Sequence, residues 1–251
     1  MLLSSTVYLT VLDLCRKDLR GRSLSPEEFN TIAPIVNEKV FSKYYREFEE
    51  SSENSETLSS FKVLNESIAV GAGGIVTLPA RYYHIVGRPR YVDTDGITRH
   101  LDLVSSLEDA DREDDYLTKA TLTYPTFRFG INTTTGSMTI NIRPTAGINP
   151  ILMDYIRTTN IPVLDYYLND TTLEYTWLSA GVAAVVPGGS TYRDGSTGVY
   201  NVPVPLTVNF EWDNEDMPLI TALFLQELGA QLPDPTIYEA GTISEQKIEA
   251  E

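Results

Sequence analysis

The stretch from Val204 to Leu232 constrains the fold most, because a strand-like pattern is followed there by a helix-like one. Apolar residues alternate with polar ones from Val204 to Phe210, which is the period of a half-buried strand. An acidic run then breaks this pattern. It offers Asp213 or Asn214 as a helix N-cap, and its acids suit the positive end of a helix dipole.

The residues that follow predict a buried helix, since they are apolar on most sides. The apolar positions are Leu219, Ile220, Leu223, Phe224, Leu225 and Leu228. Gly229 is a natural place for the helix to end, and Pro233 prevents its continuation. We therefore expect a strand that leads into a central helix, with the rest of the chain covering it.

Two further helices are predicted before residue 60. The segment Thr6–Arg20 carries an apolar stripe at helical spacing. Ser25 begins a Ser-Pro-Glu-Glu sequence, which is typical of a capping box with proline at the first helical position. Pro34 lies inside this second helix and should kink it. The Ser- and Glu-rich residues 49–60 indicate a linker.

From Phe61 onward, β-branched and aromatic runs separated by turn residues predict an antiparallel region. The candidate strands are Gly74–Leu78, His84–Val92, Thr98–Val104, Thr121–Phe129, Ser137–Pro144 and Ile151–Arg157. Turns are expected at 93–96 and 132–136, and a capping box predicts a short helix over Ser105–Tyr116. Leu173–Val186 could form a strand or a helix, and Pro187–Gly198 is expected to be a loop.

These patterns predict an α+β fold with N-terminal helices, a central, mostly antiparallel β-sheet region, a buried C-terminal helix and an extended acidic tail. The expected domains are an N-terminal helical region (1–60), an α+β body (61–232) and the acidic C-terminal tail (233–251).

The charge of the chain restricts its partners. The 251 residues include 19 basic and 35 acidic ones, a net charge of −16. From Leu206 to Glu251 there are ten acids and one base, a local charge of −9. Such a surface repels phosphate, which disfavours a sequence-specific DNA binder but is compatible with a conduit that DNA passes without sticking. No apolar run approaches the roughly 20 residues that a membrane span needs.

Few residues suggest chemistry, and we expect no catalytic, cofactor or metal site. An acidic cluster on the short helix could bind a metal, although such a run is usually a solvated face. The cluster comprises Glu108, Asp109, Asp111, Glu113, Asp114 and Asp115. The weaker candidates are a glycine run (71–74), a partial calcium-loop pattern at Asp93 and Asp95, two separated histidines (His84 and His100) and the single Cys15. For each of these a structural role is expected.

The order of signals resembles virion structural proteins of tailed bacteriophages, especially those of crAss-like podoviruses. The matching segments are Leu78–Ile85, Val104–Tyr116, Tyr124-Pro125, Phe127–Phe129, Ile140–Pro144, Met153–Thr158, Ile161–Val163, Phe210–Trp212 and Leu219–Gly229. The resemblance spans about Ser25 to Ala240 and includes no catalytic signature.

The resemblance implies a ring layer of the portal–tail connector in the virion, assembled in the host cytoplasm. A homo-oligomeric ring, twelve-fold if it matches the portal, would contact the portal protein and other connector or tail proteins while DNA passes through its channel. The alternative is a virion accessory protein, such as a head fibre, that binds a host or a carbohydrate. That function needs an exposed aromatic platform, for which Tyr192 and Arg193 in the predicted loop are the candidates. An enzyme that uses the acidic cluster with a metal is a third hypothesis.

Overall fold

The computed structural model describes residues 1–18, 24–50, 58–115, 117–231 and residue 242. It divides the chain into two compact units. Unit 1 comprises Met1–Glu50 and Thr159–Glu251, and unit 2 comprises Ser51–Thr158. Unit 2 is thus inserted into unit 1. This division differs from the predicted one, in which the helical region and the body were consecutive along the chain.

The α+β class is confirmed, with helices and several antiparallel sheets. The helices of the described residues are α1 (Ser4–Asp18), α2 (Pro26–Glu50), α3 (Ser106–Asp114) and α4 (Met217–Gln231). Short 3₁₀ turns occupy Ser59–Phe61, Ala72–Gly74 and Asn214–Asp216. Residues 233–251, apart from Thr242, lie outside the described residues, as do most of the expected linker and the expected end of the first helix.

The N-terminal helices begin close to where the sequence predicts. The capping box before α2 is confirmed, because the Ser25 N–H donates to Glu28 Oε2 at 2.9 Å and the Glu28 N–H donates to Ser25 Oγ at 3.2 Å. Pro34 lies inside α2 without ending it. One face of α2 is buried in unit 1. Its buried residues, among them Phe29, Ile32 and Val36, recur at helical spacing.

Helix α4 is buried, as predicted. Asp213 caps the 3₁₀ turn that leads into it, in a reciprocal capping box with Asp216. Ile220 and Phe224 are completely buried, and the Phe224 ring stacks on Phe29 of α2 with 5.0 Å between centroids. The helix continues two residues past the predicted end at Gly229, to Gln231. Gly229 is buried within the helix, so packing outweighs its preference for a cap.

The predicted strand from Val204 to Phe210 is also wrong. Only isolated bridges form there, one joining Val163 to Val208 and one joining Leu2 to Phe210. Val204 and Leu206 are 67% and 56% exposed, although the alternation predicted them to be inside. The physical reason is that part of this backbone bonds to a side chain and not to a neighbouring strand. The Leu206 N–H, for example, donates to the carboxylate of Asp165.

Unit 1 also contains two small antiparallel sheets. Their strands are β10 (Asp165–Asn169), β11 (Tyr175–Leu178), β12 (Ala184–Val186), β13 (Ser190–Tyr192) and β14 (Tyr200–Val202). One sheet has the order β11-β10-β13, and the other pairs β12 with β14. The ambiguous region 173–186 therefore holds two strands. The loop predicted over Pro187–Gly198 is partly wrong, because β13 lies within it.

Unit 2 consists of two sheets and α3. Its strands are β1 (Lys62–Ile68), β2 (Ile75–Thr77), β3 (Tyr82–Ile85), β4 (Arg90–Val92), β5 (Thr98–His100), β6 (Asp102–Leu103), β7 (Thr126–Ile131), β8 (Met138–Arg143) and β9 (Ile151–Arg157). One sheet has the order β1-β9-β4-β5, with β3 also paired to β9, and the other has the order β2-β8-β7-β6. All pairs are antiparallel except β6 with β7.

The strand bounds of unit 2 confirm the prediction in some places and correct it in others. Strand β9 has the predicted limits, and both predicted hairpin turns join antiparallel neighbours. The predicted strand His84–Val92 is instead divided between β3 and β4. Gly87 between them has a φ of +83°, a left-handed conformation that interrupts a strand.

Candidate functional sites

The acidic cluster lies on and just after α3, whose N-cap is Ser105. The Ser105 hydroxyl accepts from the Glu108 N–H at 3.1 Å, as predicted. The carboxylate of Glu108 accepts from Arg112 Nη2 at 2.6 Å, one turn further along the helix. This is an exposed pair at i, i+4 spacing, which contributes only a few tenths of a kcal/mol, about 0.3–0.5.

Two further ion pairs join α3 to the neighbouring hairpin. Asp109 is the buried member of the cluster, and its Oδ2 lies 3.1 Å from Arg128 Nε on β7. The Arg128 Nε–H is not directed at that oxygen, so this contact is an ion pair without an aligned hydrogen bond. Glu113 accepts from Arg143 Nη2 on β8 at 3.2 Å. The pairs orient α3 against β7 and β8.

A cleft of about 210 Å³ lies between these groups. It is lined by Asp109, Arg112, Glu113, Lys119, Ala120, Thr126, Arg143, Pro144 and Thr145. Each of its two carboxylates already has an arginine partner, so a cation would have to displace a guanidinium. Among the described residues, no group of three or more His, Cys, Asp or Glu side chains is placed to hold a metal ion.

The structure does not bring the other acids of the cluster into this cleft. Asp111 and Asp114 are exposed on α3. Asp115 follows the helix and accepts from the Leu117 N–H at 3.0 Å and from Thr118 Oγ1 at 3.0 Å, which fixes the local turn. The cluster is therefore a partly paired helix surface, with Asp109 as its one buried acid.

The turn at Asp93 is a hairpin, as predicted. Asp93 Oδ1 accepts from the N–H groups of Asp95 and Ile97, at 3.0 and 2.8 Å, and Oδ2 accepts from Arg99 Nε at 2.7 Å. The Ile97 N–H and the Arg99 guanidinium hold the pKa of the Asp93 carboxyl below its usual range. Its oxygens serve the turn.

The remaining sequence candidates are separate from one another. The glycine run forms a turn before β2, where a Cβ on Gly74 would lie 2.5 Å from the Ile142 carbonyl oxygen, so close packing requires glycine. His84 lies in β3 and His100 in β5, both exposed. Cys15 is buried in α1.

Tyr192, a candidate for the exposed aromatic platform that the alternative function needs, is buried. The side chain is buried in unit 1 with 6% exposure, and its hydroxyl donates to Asp165 Oδ2 at 2.7 Å. Asp165 is completely buried and also accepts from the N–H groups of Tyr166 and Leu206, at 3.1 and 2.9 Å. Burial, together with the Asp165 carboxylate, raises the pKa of Tyr192. This arrangement joins β10, β13 and the segment at 206.

Sequence reasoning missed a groove beside α2 and α4, which we call the basic groove. It has a volume of about 650 Å³ and is lined by Ile35, Glu38, Lys39, Ser42, Lys43, Arg46, Glu47, Leu223 and Gln226. Lys39, Lys43 and Arg46 follow one another at i, i+4 and i+7 along α2. That spacing was visible in the sequence and is the signal that could have found the groove.

A second feature that the sequence did not reveal is an apolar row on the β7–β8 hairpin. Phe127 pairs with Ile142, and Phe129 pairs with Ile140, on the face that packs into the unit 2 core. The next pair on the same face is Ile131 with Met138, and these side chains are 68% and 47% exposed. The apolar face thus extends past the core to the tip of the hairpin.

Comparison of the sequence with protein-family models and with curated proteins finds no match to either. Within the residues that the structure describes, no helix has the length and apolar character to cross a membrane.

Proposed function

We propose that this protein is a structural subunit of a tailed-bacteriophage particle. In this proposal it forms a homo-oligomeric ring layer of the portal–tail connector around the DNA channel. The sequence resemblance provides the virion context. The structural observation that carries the proposal is the exposed pair Ile131 and Met138, which continues an apolar sheet face beyond its core. Apolar surface of this kind is typical of sites that a neighbouring subunit covers.

The chemistry of the described surface supports a structural role. The acids of α3 that line the cleft are paired with arginines, and Asp165 is occupied by three hydrogen-bond donors within unit 1. The side chain that was the candidate for a host-binding platform, Tyr192, is buried. No specific observation therefore favours the alternative of a host- or carbohydrate-binding module.

A hairpin variant tests the proposed contact. Ile131→Lys combined with Met138→Lys places two cations on the row, so the variant should keep its fold but lose self-association and binding to the portal ring. Leu117→Lys is the matched control, because Leu117 is 89% exposed and lies in the same unit. Sedimentation velocity and negative-stain images with and without the portal give the readout. If the double variant assembles like the wild type, the tip of the hairpin is not part of the interface.

A cryo-EM map of the intact virion tests the role itself. The expected density is a closed ring on the tail axis between portal and tail. A position on the capsid exterior or in a fibre would overturn the connector proposal.

A further inference from the structure

One long stretch of unit 1 is almost free of charged residues. Between Glu174 and Glu211 the charged residues are Arg193 and Asp194, so residues 175–210 carry no net charge. The chain has 19 basic and 35 acidic residues among 251, which would place about eight charged residues in a stretch of this length. Two copies of a chain with a net charge of −16 repel each other, and a contact between them is least opposed where neither surface is charged.

The small β12–β14 sheet, which lies within this stretch, exposes valines on its outer face. Val185 pairs with Asn201, and both residues are exposed. Val199, which directly precedes β14, is 75% exposed, and Val185 is 60% exposed. The neighbouring Val186 and Val202 point the other way and are buried in a small core. The sheet therefore has one apolar face that unit 1 buries and apolar side chains that it leaves uncovered.

The segment after β14 is also exposed, although its backbone is fixed. Val204 and Leu206 are 67% and 56% exposed. The Leu206 N–H donates to the buried carboxylate of Asp165 at 2.9 Å. Val208 and Val163 exchange two backbone hydrogen bonds, of 3.0 and 2.8 Å. A surface that is already held in place loses little conformational freedom when a partner covers it, which favours binding.

We call five exposed side chains of this stretch the uncharged surface of unit 1. They are Val182, Val185, Val199, Val204 and Leu206. Together they expose on the order of 300 Å² of apolar area, at about 30 Å² for each aliphatic carbon. Single exposed valines are ordinary, but a total of several hundred Å² is in the range of the patches that mark interaction sites. A standard interface covers about 800 Å² on each partner, of which over half is apolar, so this surface supplies much of the apolar part of one.

The tip of the β7–β8 hairpin in unit 2 has the same chemical character. Residues 129–142 include no charged residue, and Ile131 and Met138 at the tip are 68% and 47% exposed. A subunit of a closed ring needs two different contact surfaces, one for each neighbour, because ring contacts are heterologous. The hairpin tip and the uncharged surface of unit 1 are two such surfaces, and each is apolar and uncharged as the other requires.

We infer that the uncharged surface of unit 1 receives the hairpin tip of a neighbouring copy of this chain. The inference rests on the proposed function, since it assigns the second side of the subunit contact in the proposed ring. The occupant is a second copy because both surfaces lie on this chain and because neither offers charge that a charged ligand would recognise.

Disulfide trapping tests the inference. A chain with Val185→Cys is mixed with a chain with Met138→Cys at about 0.5 mM, a concentration that populates even a millimolar contact, and the mixture is oxidised. A disulfide needs Cα atoms within about 7 Å of each other, and the native Cys15 is buried. The mixture should give about tenfold more mixed dimer than Val185→Cys with Leu117→Cys, since contact raises the effective concentration of the two thiols. Leu117 is the matched control because it is exposed and lies outside the hairpin.

A second pairing, Val199→Cys with Ile131→Cys, guards against a miss in the geometry of the first. Mixed dimer above the control level from either pairing supports the inference. Control-level yields from both pairings overturn it. A dimer that forms mainly between two Val185→Cys chains would also overturn it, because the surface would then pair with itself.

Mixing two charge variants tests the contact without a covalent bond. The tip variant is Ile131→Lys with Met138→Lys, and the surface variant is Val185→Lys with Val199→Lys. Each alone should remain monomeric in sedimentation velocity. A mixture should form dimers and nothing larger, because the intact tip of one variant meets the intact surface of the other. Association of the surface variant alone at the wild-type level would overturn the inference.

The inference and the proposed function can fail separately. Self-association of the wild type without trapping in either pairing would remove this contact and leave the connector proposal standing. Successful trapping, together with a virion map that places the chain off the tail axis, would overturn the connector proposal and leave the contact between copies.

Discussion

Asn37 is the side chain through which α2 holds two distant segments of unit 1. Its Nδ2 donates to Thr159 Oγ1 at 2.6 Å and to the Asn160 carbonyl at 2.9 Å. Its Oδ1 accepts from the Trp212 indole N–H at 2.8 Å. Asn37 and Trp212 are each 3% exposed, so the indole N–H does not find water readily if the amide is removed.

We predict that Asn37→Ala lowers the free energy of unfolding by roughly 2–4 kcal/mol, since it removes the acceptor of the buried Trp212 indole N–H and the donor to the part-buried Asn160 carbonyl. Denaturant titration measures the loss. The control is Glu38→Ala on the exposed side of the same helix turn, which should change stability by less than about 0.5 kcal/mol. Equal effects of the two variants would show that the network is dispensable.

Tyr155 makes the stability of unit 2 depend on pH in the alkaline range. Its hydroxyl donates to Glu66, and burial together with that carboxylate raises the pKa of Tyr155 to about 12, above the ordinary value of 10.0. The folded state therefore holds the proton more tightly than the unfolded state. The stability from this difference is fully present below pH 10 and is lost as the pH rises towards about 12.

We predict that Tyr155→Phe makes stability fall less steeply between pH 10 and 12, because one raised phenol no longer titrates. Tyr124→Phe is the control, since Tyr124 is 74% exposed. Urea titrations across this pH range give the slopes. Indistinguishable slopes for the Tyr155→Phe variant and the wild type would contradict the assignment.

At the scale of elements, α4 contributes buried residues to the core of unit 1, whereas Leu206 in the segment before it is exposed. We predict that Leu223→Ala costs about 2–5 kcal/mol, the range for removing a buried leucine side chain. Leu206→Ala removes the same atoms from a side chain that is 56% exposed and should cost less than about 0.5 kcal/mol. Thermal and denaturant unfolding of both variants provide the measurement, and a reversed order would mean that α4 is peripheral.

Helix α3 offers a second comparison. We predict that changing Asp111, Asp114 and Asp115 together to Asn leaves the fold intact and that the wild type binds calcium or magnesium no more tightly than this variant. Asp109→Asn, in contrast, leaves Arg128 without its carboxylate and should cost about 1–3 kcal/mol. Calorimetric titration with each ion and thermal unfolding measure these effects. A micromolar isotherm that the triple change abolishes would contradict the structural role.

The elements that the sequence predicts well are those defined by local signals. The capping box at Ser25 and the turn at Asp93 depend on residues within four positions of each other, and both are present. The failures involve distant partners. Val204–Phe210 alternates like a strand, but side chains such as Asp165 satisfy part of its backbone. Tyr192 also bonds to Asp165, through its hydroxyl. Neither of these two hydrogen bonds to Asp165 produces a periodic pattern in the sequence.

The surfaces were harder to predict than the core. The three cations of the basic groove lie at helical spacing on α2, but only the packing of α4 beside them makes a groove. Likewise, Ile131 and Met138 look like ordinary strand residues until the hairpin is seen to extend beyond its core. The spacing of residues along the sequence predicts which side chains share a face of a helix or strand, but it does not predict which other element packs beside that face.

At the scale of the whole molecule, the net charge of −16 predicts a low affinity for DNA. We expect the isolated chain to bind duplex DNA more weakly than roughly 100 µM at physiological salt, because it has few cations with which to release counterions. Fluorescence anisotropy between 50 and 200 mM salt tests this. A dissociation constant of 1 µM or tighter at 150 mM salt would defeat the idea of a passive channel.

The insertion of unit 2 into unit 1 has a consequence for synthesis on the ribosome. Helices α1 and α2 are complete by residue 50, whereas α4 begins at Met217, about 170 residues later. At 5–20 residues per second, that interval is on the order of 10–30 s. Throughout it, the apolar face of α2 lacks α4, whose Phe224 stacks on Phe29 in the folded chain. The nascent chain thus carries an unfinished apolar surface until its last quarter emerges, and a chaperone has its clearest opportunity to bind in that interval.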